Sequence, residues 1–346
     1  MGRPDAHRSE RVTPGRRAGP HARLDPLTGR TVIVAPGRAG RPDTWGRAAP
    51  GREGATASVP GDCPFCPGNE KLTPPEIART GPGAPGTPGW RTRVFPNRYP
   101  IVDGGTAGSV VAADDLRPER SVAGVHEVVV LSPDHEGSLG RLDPSQATEV
   151  LTVLRDRARV HAAFGRRATQ VFVNHGAAGG ASLPHPHAQV IAIDLEPPAV
   201  RGELDRITTP DGCLVCREIG RHGRDPELVV ASASRAELWC PWAAGTAYEM
   251  LLAPTRHQPR FEDADEEDLG AVGELLHHGL ERLDRVVAGA SYQIAVHSRP
   301  ARVVDDYHWH LHMWPRLQRE AGFEHGSGLL VNVVDPARAT ADLRRR

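Results

Sequence analysis

Apolar positions along the chain fall into short runs, and the runs predict strands and helices in an order that occurs twice. Residues 30–36 (Arg-Thr-Val-Ile-Val-Ala-Pro) are β-branched and follow the turn residues Asp25-Pro-Leu-Thr-Gly29, which predicts a first strand. Residues 126–131 (His-Glu-Val-Val-Val-Leu), 170–173 and 190–193 read as buried strands, with a helix over 144–164 opened by Asp143-Pro144-Ser145. The order then returns as strands over 228–232 and 249–253, a helix over 264–287, and strands over 292–297 and 310–314. Residues 37–60 and 80–90, rich in Gly, Arg, Pro and Ala, are expected to be surface loops. Residues 1–24 are Arg-, Gly- and Pro-rich without a sustained apolar run, so a disordered tail is expected there, neither signal peptide nor membrane anchor.

Spacing tests the repetition. The first half contains Cys63-x-x-Cys66, Ser132-Pro-Asp-His135 at a strand end, and His185-x-His187-x-Gln189. The second contains Cys213-x-x-Cys216, Ala253-Pro-Thr-Arg-His257 at a strand end, and His308-x-His310-x-His312. From His135 to His185 is 50 residues and from His257 to His308 is 51. Three landmarks in one order argue for internal duplication. The expected fold is α+β, with halves at 25–200 and 201–340, each an antiparallel sheet with a helix, either separate or joined as one sheet.

Composition narrows the function. At 346 residues the chain can bury two domain cores, and 39% apolar residues place it above disordered compositions. The 42 basic and 43 acidic side chains nearly cancel, so no global field recruits nucleic acid or an anionic membrane. Four of the five cysteines stand in two Cys-x-x-Cys pairs, with Cys240 left over, which suits metal-bound thiolates in a reducing cytoplasm better than a disulfide framework.

Each landmark set supplies two cysteines and two histidines. Structural zinc takes four tetrahedral ligands of this kind, so Cys63, Cys66, His135 and His185 are expected to form one closed site. Cys213, Cys216, His257 and His308 would form its duplicate. Neither keeps an open position, so both metals would hold the fold.

Upstream of the first His-x-His lies Asn174-His-Gly-Ala-Ala-Gly-Gly-Ala-Ser-Leu-Pro, a small-residue loop whose backbone N–H groups can approach phosphate. In a strand, His185, His187 and Gln189 share one face. One histidine would face the metal, His187 would be free to attack phosphorus, and the Gln189 amide would hold an oxyanion. The plainer alternative makes His187 a further ligand or a core histidine.

These segments resemble the galactose-1-phosphate uridylyltransferase family of the histidine-triad superfamily, over about residues 25–332. The resemblance rests on Asp25-Pro-Leu-Thr-Gly, Arg38-Ala-Gly-Arg41-Pro, Cys63-Pro-Phe-Cys66, Val94-Phe-Pro-Asn97, Ser132-Pro-Asp-His135 and His185-Pro-His187-Ala-Gln189. It implies a histidine-triad-like fold in each half, zinc, a homodimer and a role in galactose metabolism. By the same motif His187 attacks the α-phosphorus of UDP-glucose, glucose 1-phosphate leaves, and galactose 1-phosphate takes the uridylyl group. Gln189 would hold a phosphoryl oxygen, and Arg38, Arg41, Asn97, Asn174, Gly180, Ala181 and Ser182 match the nucleotide and phosphate contacts.

Two departures point elsewhere in the family. Arg98 stands where many members carry an acidic residue, and Phe323-Glu-His-Gly326-Ser-Gly328 resembles a branch that includes ADP-glucose:phosphate adenylyltransferase-like proteins. The alternative donor is therefore ADP-glucose, or another nucleotide sugar, on the same histidine. Some relatives place a second metal on a glutamate and three histidines, here Glu203, His297, His310 and His312. That set stands as the rival to the Cys213 set, which the duplication favours. Trp239, Trp242, Trp309 and Trp314 are expected mainly in core or dimer contacts, adjacent His277 and His278 on different helix faces, and the acidic run 262–268 at a helix start.

Overall fold

Ten strands hydrogen-bond into one antiparallel sheet in the computed structural model, which describes residues 19–40, 61–102, 104, 110–112, 119–120 and 122–345. In chain order they are β1 (Ala78–Thr80), β2 (Thr92–Pro96), β3 (Gly124–Val130), β4 (Ala168–His175) and β5 (His187–Ile193). The second half adds β6 (Val229–Ser232), β7 (Ala236–Trp239), β8 (Met250–Pro254), β9 (Tyr292–His297) and β10 (His310–Pro315). Their spatial order is β6-β7-β8-β10-β9-β4-β5-β3-β2-β1. Outward from the β4/β9 seam, both arms therefore have one connectivity. The seam pairs Val171–His175 with Tyr292–Val296 antiparallel, and it leaves neither half with an unpaired edge at the join.

Four helices bear on the site: α1 (Pro144–Ala163), α2 (Pro198–Ile207), α3 (Leu214–His222) and α4 (Glu266–Val286). α1 links β3 to β4, and α4 links β8 to β9. Each opens on an aspartate whose side chain accepts the backbone N–H three residues on, Gln146 at 2.9 Å from Asp143 and Asp268 at 2.8 Å from Asp265. The acidic run thus has local work: Asp265 caps α4, and buried Asp268 binds Arg235 and Arg256.

Alternation along the strands gives the sheet two unlike faces. Ala188 and Val190 pack with Val150, Leu151 and Leu154 of α1, and Leu238, Met250 and Leu252 pack with Leu276 and Leu280 of α4 in the same large core. The opposite face holds Val128, Val130, Phe65 and Phe95 in the first half, and Trp239, Leu251 and Tyr307 against α2 and α3 in the second. His126 and Glu127 interrupt the apolar run of β3 for this reason. Glu127 turns toward α1, where Arg157 donates to it at 2.9 and 2.6 Å and His161 lies 3.0 Å away, while His126 faces the other side.

The N-terminal segment departs from expectation. His21–Leu24, placed within the expected disordered tail, is a strand antiparallel to Thr31–Val34, which pairs in turn, parallel, with Leu330–Asn332. Val32 and Val34 pack on Ala243, and Leu27 on Val200 and Leu204. This segment was assigned to the first half and the tail, yet it seats on the second half, because its apolar faces find their partners there. α2 also runs across the expected boundary at 200/201. Residues 1–18 and 41–60 lie outside the described residues.

α1 and α4 approach closely at Gly273, where a Cβ would stand 2.6 Å from Thr148 Oγ1 and 3.0 Å from Thr148 Cα. Gly273→Val is expected to lower unfolding free energy by about 1–3 kcal/mol, read from the urea midpoint, since the helices cannot part without opening the core.

Candidate functional site

Three clusters of Cys, His and Glu side chains lie on the face that α1 and α4 leave free. Cys63, Cys66, His135 and His185 come together with one ligand atom from each within 4.8 Å of the others. Cys66 Sγ is 3.2 Å from His135 Nδ1 and 3.5 Å from His185 Nδ1. His185 Nε2 donates to the Ser132 carbonyl at 2.8 Å, which fixes its proton and leaves the Nδ1 lone pair toward the sulfurs. Burial lowers its pKa to about 4, so the ring is neutral, as a ligand must be. Burial, with Cys63 alongside, pushes the Cys66 thiol up to about 11. Two sulfurs in that position favour a cation between them, and an S2N2 donor set suits zinc.

The second half repeats this atom for atom. Cys216 Sγ lies 3.3 Å from His257 Nδ1 and 3.4 Å from His308 Nδ1, and His308 Nε2 donates to the Pro254 carbonyl at 2.9 Å. Burial and Cys213 push the Cys216 thiol up to about 12, and burial lowers His308 to about 4.

The structure also assembles the rival set. Glu203, on α2, meets His297, His310 and His312, all buried, with one ligand atom from each within 4.8 Å of the others. The two sets share no residue, and the structure brings both together. His310 Nδ1 donates to the His308 carbonyl at 2.9 Å, which aims its bare Nε2 at His312 Nε2, 3.0 Å away. His312 Nδ1 is buried without a partner among the described residues. Burial raises the Glu203 pKa, but the charge and hydrogen bond of His297, with His310 and the Tyr307 hydroxyl, bring it down to about 2. Facing imidazole nitrogens around a carboxylate form an N3O donor set that fits a metal ion.

His187 opens β5, whereas His185 lies just before the strand, so the expected row of three shortens to His187 and Gln189. Its Nδ1 donates to the His185 carbonyl at 2.8 Å. That bond leaves the Nε2 lone pair free, and burial lowers the ring's pKa, keeping it neutral. The Phe65 edge packs on the ring at 5.4 Å between centroids. Val130 pairs with His187 and Val128 with Gln189, so both side chains stand over the β3 face that also carries His126.

A cavity lined by Asn174, Gly176, Ala181, His187 and Tyr292 joins this strand to the small-residue loop. Gly176 and Gly180 adopt φ of 73° and 87°, a region open to glycine at little cost. A Cβ on Gly179 would stand 2.7 Å from the Tyr292 carbonyl, and Gln293 donates to the Gly179 carbonyl at 3.0 Å, so the second half holds the loop down. Asn174 Nδ2 lies 3.7 Å from where a Gly180 Cβ would be. Ala181 and exposed Ser182 follow.

Of the remaining expected contacts, Asn97 follows β2 and reaches His126, with Nδ2 3.0 Å from its Nε2. Arg98 is exposed. Arg38 is exposed on a short turn, Pro36–Gly40, and among the described residues no hydrogen bond joins it to His187, Gln189 or Asn174. Arg41 lies outside the described residues. Cys240 is core, Trp239 and Trp309 are buried, and Trp314 stacks on His312 at 5.0 Å. His126, Phe65, Tyr292 and Gln293 were not singled out from the sequence; the polar break at His126 in an apolar run was the available signal.

Comparison with known proteins accords with this geometry. Residues 11–197 match the family model of the galactose-1-phosphate uridyl transferase N-terminal domain. An ADP-glucose phosphorylase of Arabidopsis thaliana is 30% identical over 332 residues, covering 92% of this chain and 90% of the relative. A galactose-1-phosphate uridylyltransferase of Haemophilus influenzae is 28% identical over 311 residues, covering 87% and 85%. The crystal structure of the Arabidopsis thaliana ADP-glucose phosphorylase with bound ADP-glucose superposes with a TM-score of 0.78 at 28% identity, covering 95% of this chain and 99% of that one. The chain belongs to the galactose-1-phosphate uridylyltransferase family, and its α+β fold is the family's. Among the described residues no helix is long and apolar enough to cross a membrane.

Proposed function

We propose that this chain is a nucleotidyltransferase that passes a nucleoside monophosphate from a nucleotide sugar to a phosphate acceptor through His187. The observation that carries this is the His187 Nδ1 bond to the His185 carbonyl, which leaves Nε2 as the ring's unprotonated nitrogen. Nε2 attacks the α-phosphorus, the P–N bond forms as the P–O bond to the sugar phosphate breaks, and hexose 1-phosphate leaves with the electron pair. The acceptor phosphate oxygen then takes the nucleotidyl group and frees the histidine. Gln189 and Ser182 would meet the charge that gathers on the phosphoryl oxygens, while the Gly180 and Ala181 N–H groups, bonded to the Ala177 and Gly176 carbonyls, hold the loop's shape.

Two donor–acceptor pairs fit this chemistry. The motifs suggest UDP-glucose with galactose 1-phosphate. The 30% identity and TM-score of 0.78 to an ADP-glucose phosphorylase support ADP-glucose with inorganic phosphate, in line with Arg98 and the Phe323–Gly328 segment. An internal duplication into two units, a homodimer and a cytoplasmic location belong to the same proposal.

We further infer zinc at the Cys63 and Cys213 sets and another ion at the Glu203 set, all holding the fold. The metals contribute no step to the transfer.

Intact-protein mass spectrometry after mixing with UDP-glucose or ADP-glucose, without acceptor, separates the donors. A uridylyl or adenylyl gain that is absent in His187→Ala is the expected result; no gain with either donor would exclude covalent transfer. Elemental analysis is expected to show the metal content falling by about one ion per chain in Cys63→Ala and likewise in Cys213→Ala, while Cys240→Ala leaves it unchanged. Glu203→Gln is expected to remove a further ion and spare the zinc.

A further inference from the structure

Gln189 has a carbonyl oxygen and an amide nitrogen, and only the nitrogen can donate to a developing phosphoryl charge. Which end faces the substrate must be set by a neighbour. His126 is that neighbour: its Nε2 lies 2.8 Å from Gln189 Oε1. On β3 it pairs with Ile191, which makes it the diagonal neighbour of Gln189 on the same face of the sheet. The Ile101 N–H points at His126 Nδ1 at 3.3 Å, which places the imidazole proton on Nε2 and makes that nitrogen the donor to Gln189. Asn97 lies alongside, but its amide nitrogen is a donor like Nε2 and makes no bond to it. Its Oδ1 accepts the Tyr99 N–H at 2.8 Å, and its Nδ2 comes within 3.0 Å of His126 Nε2.

Burial removes the plain alternative of a solvated surface histidine: His126 is 6% exposed. Desolvation also lowers its pKa, so the neutral ring with one defined donor is the resting form. Resting on the function proposed above, the geometry points to His126 as a positioning residue: it holds the Gln189 oxygen so that the Gln189 amide N–H2 faces the phosphoryl oxygen in the transfer. His126 touches neither the reacting phosphorus nor His187.

The test is the rate of nucleotidyl adduct formation under rapid quench, across donor concentrations, with the donor that labels the wild-type chain. His126→Leu is expected to lower the limiting rate roughly tenfold with little change in half-saturating donor, less than the 10²–10³ typical of losing a direct oxyanion donor. His126→Gln, which can still donate to Gln189 Oε1, is expected to restore most of that rate. The double variant His126→Leu/Gln189→Ala is expected to be no slower than Gln189→Ala alone, because the two residues act as one unit. A His126→Leu limiting rate equal to wild type, or a full additional tenfold loss in the double variant, overturns the assignment. If His126→Leu does not fold, a slow His126→Gln with a wild-type melting temperature overturns it instead. A wild-type chain that forms no adduct with either donor defeats the covalent reading, and the role of His126 falls with it; an adduct with an indifferent His126 defeats this inference alone.

Discussion

Two backbone carbonyls govern the chemistry of this protein. The Ser132 carbonyl accepts from His185 Nε2, and the His185 carbonyl accepts from His187 Nδ1, so two histidines a residue apart are held in opposite tautomers. One is left with its lone pair toward two sulfurs, the other with its lone pair on Nε2. Neither outcome follows from imidazole itself, whose two nitrogens are interchangeable until one proton is committed. The cluster around His185 fixes the start of β5, and β5 carries His187 and Gln189 onto the face left bare by the helices. Moving His185 would misplace both.

The duplicated half shows the same device put to a different end. His308 donates to Pro254 and His310 to the His308 carbonyl, reproducing the tautomers of His185 and His187. Yet the counterpart of Gln189 is His312, and His297 stands 11 residues before His308 as Asn174 stands 11 before His185. An amide pair that can bind a phosphate has become an imidazole pair, and Glu203 from α2 closes over it. Nε2 has no hydrogen-bond partner among the described residues at His187, whereas at His310 it meets His312 Nε2 within the buried cluster. Two side-chain identities on a shared backbone separate the two sites.

The halves also depend on one another. The seam joins β4 to β9, and Ser291 to Gln293, at the start of β9, press on the glycine loop that follows β4. The first half alone would lack the surface that shapes its own phosphate loop. The N-terminal strand reinforces the coupling by crossing to the second half, so neither arm is closed without residues from the other.

Much of this was readable in the residues themselves. The apolar runs located β9 as observed, and α1, α4, β3 and β10 to within two residues, because long buried elements declare their period. The Cys-x-x-Cys pairs and His-x-His steps named both sulfur clusters, since a metal needs its donors at fixed spacing and chemistry restricts them to few residue types. Short elements were lost: β1, β7 and His21–Leu24 are too brief to show a period, and α2 and α3 repeat apolar residues at helical spacing (Val200, Leu204, Ile207; Val215, Ile219) only over short runs rich in polar residues. Tertiary structure alone decided that the two sheets are one, that the Glu203 and Cys213 sets both assemble, and that His126 turns toward Gln189 while Glu127 turns to α1. Local pattern records which side chains are available, but a strand's partner and a histidine's proton depend on atoms distant in sequence, and only packing brings those atoms within hydrogen-bond reach.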